Sequence, residues 1–269
     1  LTEQQIETFA LKMISEIDIL QRMPEAFHEY YAYTAAAKFM FFLDLRHTNL
    51  ISIKKIAHSK EMEELLALRK LSLQIASSNL SIQEVEAQNW FSDNNAEKIY
   101  TTFLQLDKNQ KGTLTMNEVG DFAGLNPRKR INFTQLAWER IFQEYIPYIP
   151  MELDYKNFIH LILAIENPTT IASIRYFWKI LDYDRSGRLT PLKIKYFYND
   201  IYASLVGSYD VPSADYIVTE IYDLLACNNN DGATLEDVIK SKQGYIVMSM
   251  LLDVNGFWRY DNRESLMGA

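Results

Sequence analysis

The sequence predicts an all-α fold, built from paired helix–loop–helix units that follow one another in an elongated helical array. Three observations predict it. The stretch from Asp107 to Glu118, D-K-N-Q-K-G-T-L-T-M-N-E, sets Asp107, Asn109, Thr115 and Glu118 around a turn at Gly112, an arrangement that wraps a hard cation between two helices. An apolar frame, with residues eight, four and one places before a loop and another at its eighth position, recurs five times. Loops that start at 107, 146, 182 and 226 lie about 40 residues apart, which leaves room each time for helix, loop, helix and a connection.

The loops are of the EF-hand type, and several are degenerate. Leu1-Thr2 reads as the tail of an upstream loop, and Ile6, Phe9, Leu11, Met13, Ile14 and Ile17 then mark an amphipathic helix. Ala36, Met40 and Leu43 lead into a loop at Asp44 with Ile51 inside it, whose mate is that upstream tail. With a connecting helix at Glu61 to Leu73, acids first and bases later as the helix dipole prefers, this gives a degenerate pair over residues 1–76. The Ser-, Asn- and Gln-rich stretch 77–95 is the expected linker, with Trp90-Phe91 docking on a core.

A second pair is expected over 96–167. Ile99, Phe103 and Leu106 precede the loop at Asp107, which holds Leu114, and Trp138, Phe142 and Tyr145 precede one at Ile146, which holds Leu153. Between them Asn126-Pro127-Arg128-Lys129-Arg130 reads as a solvated basic break. The third pair fills 168–269: Ile174, Trp178 and Leu181 precede Asp182 with Leu189 inside, and Val218, Tyr222 and Leu225 lead to a loop near Ala226. Pairing has a physical reason, because the eighth positions lie in short extended segments whose backbone groups need partners. An apolar run from Leu235 to Asp253, interrupted at Gly244, follows. Asn255-Gly256 would then supply a positive-φ turn, with Phe257 and Trp258 packed on the core. Tyr196, Phe197, Tyr198 and Tyr202, at helical spacing, read as core rather than as a partner surface.

Composition supports packed cores and narrows the function. The 269 residues are 48% hydrophobic and 13% aromatic. A net charge of -8 and a pI of about 5.1 would repel phosphate backbones and anionic lipid, which sets nucleic acid and membranes aside as partners. Cys227 stands alone, so no intramolecular disulfide forms, and a reducing, cytoplasmic setting is expected. The start, Leu1-Thr2-Glu3, carries neither an initiator Met nor a signal-like core and reads as cut from a longer polypeptide. Sequons at Asn79 and Asn132 read as coincidences.

Calcium is the one cofactor suggested. In the first good loop Asp107, Asn109, Thr115 and Glu118 are candidate ligands, with Lys111 and Thr113 acting through the backbone. Lys111 places an ammonium where an oxygen is wanted. In the second, Asp182, Asp184, Ser186 and Thr190 are candidates with the Arg188 carbonyl, but Lys193 stands where a bidentate carboxylate belongs. Each loop offers two acids and one base at ligand positions, so any binding is expected at or weaker than ~10⁻⁵ M. A lysine at such a position can also replace the ion by bonding the loop's carbonyls. The loops at 44, 146 and 226 lack ligands and are structural. Catalysis finds no foothold: His28, His47, His58 and His160 are scattered, and neither a phosphate loop nor a nucleophile elbow occurs. A binding module, not an enzyme, follows.

A run of landmarks then resembles one family. They are Tyr33-Thr34-Ala35 to Phe41-Phe42-Leu43-Asp44, Asn89-Trp90-Phe91-Ser92, the loop from Asp107, Leu153-Asp154-Tyr155-Lys156 and Leu163-Ala164-Ile165-Glu166-Asn167. The loop from Asp182, Ser241-Lys242-Gln243-Gly244 and the string from Leu252 through Trp258 to Glu264 continue them. Their order resembles the B″ regulatory subunits of protein phosphatase 2A, most closely the gamma-type branch that includes the plant FASS/TONNEAU proteins. The resemblance implies a non-catalytic regulatory and targeting subunit that docks on the scaffold and catalytic subunits, with calcium tuning through the EF-hands. It also implies a place at the centrosome, basal body or cortical microtubules, with microtubule-associated proteins as further partners. Lys111 departs from the family pattern. Two other readings stay open: a structural EF-hand protein of the cytoskeleton or cilium without phosphatase, and a calcium sensor.

Overall fold

The computed structural model describes residues 1–70, 89–120, 122, 131–145, 151–227 and 231–267. Helices α1 (Glu3–Glu16), α2 (His28–Leu43), α3 (Ile53–Ala57), α4 (Lys60–Ala67) and α5 (Asp93–Leu106) come first. Next are β1 (Thr113–Thr115), α6 (Met116–Gly120), α7 (Gln135–Glu144), β2 (Glu152–Asp154), α8 (Tyr155–Glu166) and α9 (Ile171–Leu181). The chain continues through β3 (Arg188–Leu189), α10 (Pro191–Leu205), α11 (Ala214–Leu225), β4 (Ala233–Thr234) and α12 (Leu235–Lys240). It closes with α13 (Gly244–Leu252), α14 (Val254–Asp261) and α15 (Arg263–Met267). The fold is all-α, and none of the described helices is long and apolar enough to cross a membrane. Two units form: residues 1–112 with 155–163, and residues 113–154 with 164–269.

In the first unit, α1 begins at a capping box. Thr2 accepts from the Gln5 N–H, and the Gln5 side chain accepts from the Thr2 N–H, so two orphan donors are satisfied at once. Its buried face, Ile6, Ala10, Met13 and Ile14, lies on α2, whose run Ala35-Ala36-Ala37 lets the helices approach closely. Phe91 enters this core beside Phe39, ring centroids 5.3 Å apart, and its carbonyl accepts from the Tyr31 hydroxyl at 2.8 Å. Glu64 holds the segment around it, accepting from the Trp90 N–H at 2.7 Å while its carbonyl accepts from the Asn89 amide. Buried Lys38 pairs with Glu64 and lies 4.8 Å and 4.5 Å from the Trp90 and Phe91 ring centroids. Of the expected linker, 77–88 lies outside the described residues, whereas Asn89–Ser92 is docked and Ser92 caps α5.

Two antiparallel strand pairs form in the second unit. Leu114 lies opposite Leu153 in the antiparallel pair β1–β2, and Leu189 opposite Ala233 in β3–β4. The loop at Asp44 shows the same exchange inside the first unit, where the Ile51 N–H donates to the Leu1 carbonyl at 2.9 Å and the Leu1 amine donates back to the Ile51 carbonyl. The loop start at Ile146, the basic break at 126–130, the Asn79 sequon and 71–73 of the expected connecting helix lie outside the described residues.

The end of the chain departs from expectation. Asn255-Gly256 makes no positive-φ turn but sits inside α14. A Cβ there would stand 1.9 Å from Ser249 Oγ and 3.0 Å from the Ser249 carbonyl oxygen on α13, so helix packing rather than turn chemistry favours glycine. Phe257 is fully buried, but Trp258 is 42% exposed and does not pack in the core. Phe197 and Tyr198 are likewise core while Tyr196 and Tyr202 are exposed, so that group is split between the two roles. The run from Leu235 breaks just before Gly244, with Lys242 at φ 58°, and Gly244 opens α13.

Candidate cation loops

Three loops share one local geometry, and an acid at the first position organises each. Asp44 accepts from the N–H groups of Thr48 and Asn49 at 3.0 and 2.7 Å, and Asp107 from those of Lys111 and Gly112 at 3.0 and 2.7 Å. Asp182 accepts from the Gly187 N–H at 3.0 Å. All three acids are buried. The fourth and sixth positions are left-handed every time: His47 and Asn49, Gln110 and Gly112, Arg185 and Gly187 have φ of 53°, 58°, 53°, 77°, 56° and 73°. Backbone bonds to a carboxylate therefore shape the loop whether or not its side chains suit an ion. Burial alone would push the Asp44 carboxyl up, but the Thr48 and Asn49 N–H groups and the Thr48 hydroxyl outweigh it, and the net shift is downward.

In the loop from Asp107, Asp107 and Lys111 belong to the first unit, and Thr113, Thr115 and Glu118 to the second. Asn109 is exposed. Glu118, the expected bidentate ligand, accepts through Oε2 from the Thr115 N–H at 2.8 Å and its hydroxyl at 2.7 Å, while its own N–H donates to Thr115 Oγ1. That is a capping box at the start of α6. Thr234 and Asp237 repeat it at the start of α12. The donor types at Asp107, Asn109, Thr113 and Glu118 fit calcium, and the ammonium of Lys111 does not.

The loop from Asp182 brings four of its five expected residues together, and a cation of the chain's own stands among them. Lys193, 1% exposed, directs Nζ to Asp182 Oδ1 at 2.5 Å, to Asp184 Oδ1, to Ser186 Oγ at 2.9 Å and to the Arg188 carbonyl at 2.8 Å. Thr190, the fifth, does not join them; it caps α10 by accepting from the Lys193 N–H. The hydrogen bond from Lys193 chiefly, with the Ser186 N–H, holds the Asp184 carboxyl down at about 2. Because the ammonium fills the point on which the ligands converge, this set does not fit a calcium ion. Among the described residues no group of three or more His, Cys, Asp and Glu side chains is gathered as a metal site.

Comparisons with known proteins decide the kinship. The gamma-type B″ regulatory subunit of serine/threonine-protein phosphatase 2A from Homo sapiens is 32% identical over 268 residues, covering 99% of this chain and 56% of that protein. This chain is a homologue of the B″ regulatory subunits. A probable B″ regulatory subunit of Arabidopsis thaliana, TON2, is likewise 32% identical to this B″ homologue, over 276 residues, 99% of the chain and 55% of that protein. The chain thus spans about half the length of the curated relatives it matches. A solved structure described as a PP2A PR70 holoenzyme shares the fold at a TM-score of 0.76 and 17% identity, covering 94% of this chain and 90% of that one. No family model matches.

One feature of the B″ homologue gave no sign in the sequence. A cavity of about 300 Å³ opens in the second unit among Phe133, Phe177, Met248 and Leu252, with Asp253 and Arg259 at its polar side. Asp253 ties α14 to the segment before α7, accepting from the N–H groups of Asn132 at 2.8 Å and Asn255 at 3.1 Å. Burial pushes its carboxyl above the ordinary value, and the N–H groups and Arg259 only partly offset this. The Asn132 and Asp253 partners are over a hundred residues apart in the sequence, so no local pattern could announce them.

Proposed function

We propose that this chain is the EF-hand portion of a non-catalytic regulatory and targeting subunit of protein phosphatase 2A, docking on the scaffold and catalytic subunits. The observation that carries the reading is the 32% identity to the gamma-type B″ protein, which extends over 99% of the chain. The common fold with a structure described as a phosphatase holoenzyme supports it. The relatives are named regulatory subunits, so in this reading the chain supplies position and surface while the chemistry belongs to its partner.

Packed helix pairs suit that role. Within the second unit the buried Asp182 and the β3–β4 pair tie successive helices together, and a surface ordered in advance loses less entropy on docking than a mobile one. Calcium enters the proposal through the ligand sequence at Asp107, Asn109 and Glu118, and binding there would tune docking. Placement at centrosomal, basal-body or cortical microtubule structures, beside microtubule-associated proteins, belongs to the same proposal and follows from the gamma-type resemblance.

Size-exclusion chromatography of the full chain with purified scaffold and catalytic subunits tests it. Co-elution of all three is expected. Elution of the chain apart from them, with its helicity intact, would turn the reading to the cytoskeletal alternative.

A further inference from the structure

We infer that the loop from Asp182 is closed by the chain's own ammonium, so that it holds its paired conformation without calcium and does not respond to it. This stands independently of the phosphatase reading. The motif assigns an ion the side chains at its first, third and fifth positions, the carbonyl at the seventh and a carboxylate at the twelfth. Here the first four groups, Asp182, Asp184, Ser186 and the Arg188 carbonyl, all contact Lys193 Nζ, and Lys193 is itself the twelfth residue. The residue that should supply two oxygens instead supplies the cation. An ammonium offers three N–H donors to these four oxygens, so one proton is shared, and the positive charge stays in the loop on a covalent tether.

The rest of the loop is formed around that charge. Arg185 and Gly187 are left-handed, Gly187 donates to Asp182, and Leu189 pairs with Ala233. A calcium ion would have to evict an ammonium that is 1% exposed, and would then meet that positive charge nearby with no carboxylate at the twelfth position.

Lysine at this position is not sufficient by itself. Lys55 is the twelfth residue of the loop at Asp44, yet it is exposed and donates to the Leu43 carbonyl at the end of α2. The difference lies in the third position, Asp184 in one loop against Arg46 in the other, since Ser186 and Thr48 both place a hydroxyl at the fifth. A second acid draws the ammonium inward, and an arginine there would repel it. Any calcium response of this chain is therefore confined to other loops, first of all the one from Asp107.

Calorimetric titration of the full chain with calcium chloride tests this in a Glu118→Gln background, which weakens the loop from Asp107. With Lys193 in place, no heat and no change in melting temperature are expected up to about 1 mM calcium, well above the range of sensor loops. Lys193→Glu in the same background should gain one calcium site per chain, at least tenfold tighter than that limit, and calcium should raise its melting temperature. Binding by the Lys193 chain that Asp182→Asn abolishes would overturn the inference, and that arm requires no change at Lys193. A Lys193→Glu chain that is folded by circular dichroism yet gains no site would overturn it as well.

Discussion

Lys193→Met is the most direct stability test of the tethered cation. Methionine retains much of the apolar stem and removes the ammonium, leaving Asp182, 9% exposed, and the Arg188 carbonyl without that donor. Breaking a buried ion pair from one side costs about 3–5 kcal/mol, because the remaining charge stays desolvated. Asp182 keeps the Gly187 N–H, so the lower end applies. Asp184 is half exposed and rehydrates, so its share is screened and adds little beyond this. A loss of about 3 kcal/mol follows, equivalent to roughly 6 to 12 °C in the melting temperature of a unit of this size. Urea unfolding followed by tryptophan fluorescence, with Trp178 on α9 leading into the loop, reads it. A loss below about 1 kcal/mol, the level of a surface pair, would mean that the ammonium is dispensable to the loop.

Three further outcomes are expected. Gly256→Ala should destabilise the second unit by about 1–3 kcal/mol through the clash with Ser249 Oγ, and Ser249→Ala should restore part of the loss in a double-mutant cycle read by thermal melting. Met151 occupies the sixth loop position at φ 64°, where glycine is usual, so Met151→Gly should be neutral or raise stability by up to about 1 kcal/mol in chemical denaturation. Asp184 is held at about 2 against an ordinary 3.8, so its stabilisation is present above pH 4 and is lost as the pH falls towards 2; Asp184→Asn should flatten that limb of the stability profile.

The parts of the fold that repeat were legible in the sequence, and the parts that depend on distant packing were not. Leu114, Leu153 and Leu189 could be placed because the frame fixes the eighth position of a loop, and antiparallel pairing then follows from unsatisfied backbone groups. The cluster at Asp182 was legible in its residues, since ligand types and a misplaced lysine stand at fixed offsets. Its resolution, with the ammonium buried among the ligands, depended on whether the third position would draw the lysine in. Asn255-Gly256 misled because a local turn signal is weaker than the contact between α13 and α14 that favours a glycine. Trp258 and Phe257 are adjacent in one helix, and only their angular position separates the exposed ring from the buried one. Loop shape survived where glycine did not: Asn49 and Met151 take the left-handed sixth position, which shows how strongly the surrounding frame determines the backbone.

Capture of the tagged chain from cell extract, in calcium and in chelator, probed for the phosphatase scaffold and catalytic subunits, tests whether the chain is a regulatory subunit of the phosphatase. Recovery of both subunits is expected, with any gain in calcium abolished by Glu118→Gln and not by Asp182→Asn in a chain that remains folded. Recovery of neither subunit in either condition, by a chain whose circular dichroism shows an intact helical fold, would contradict that role.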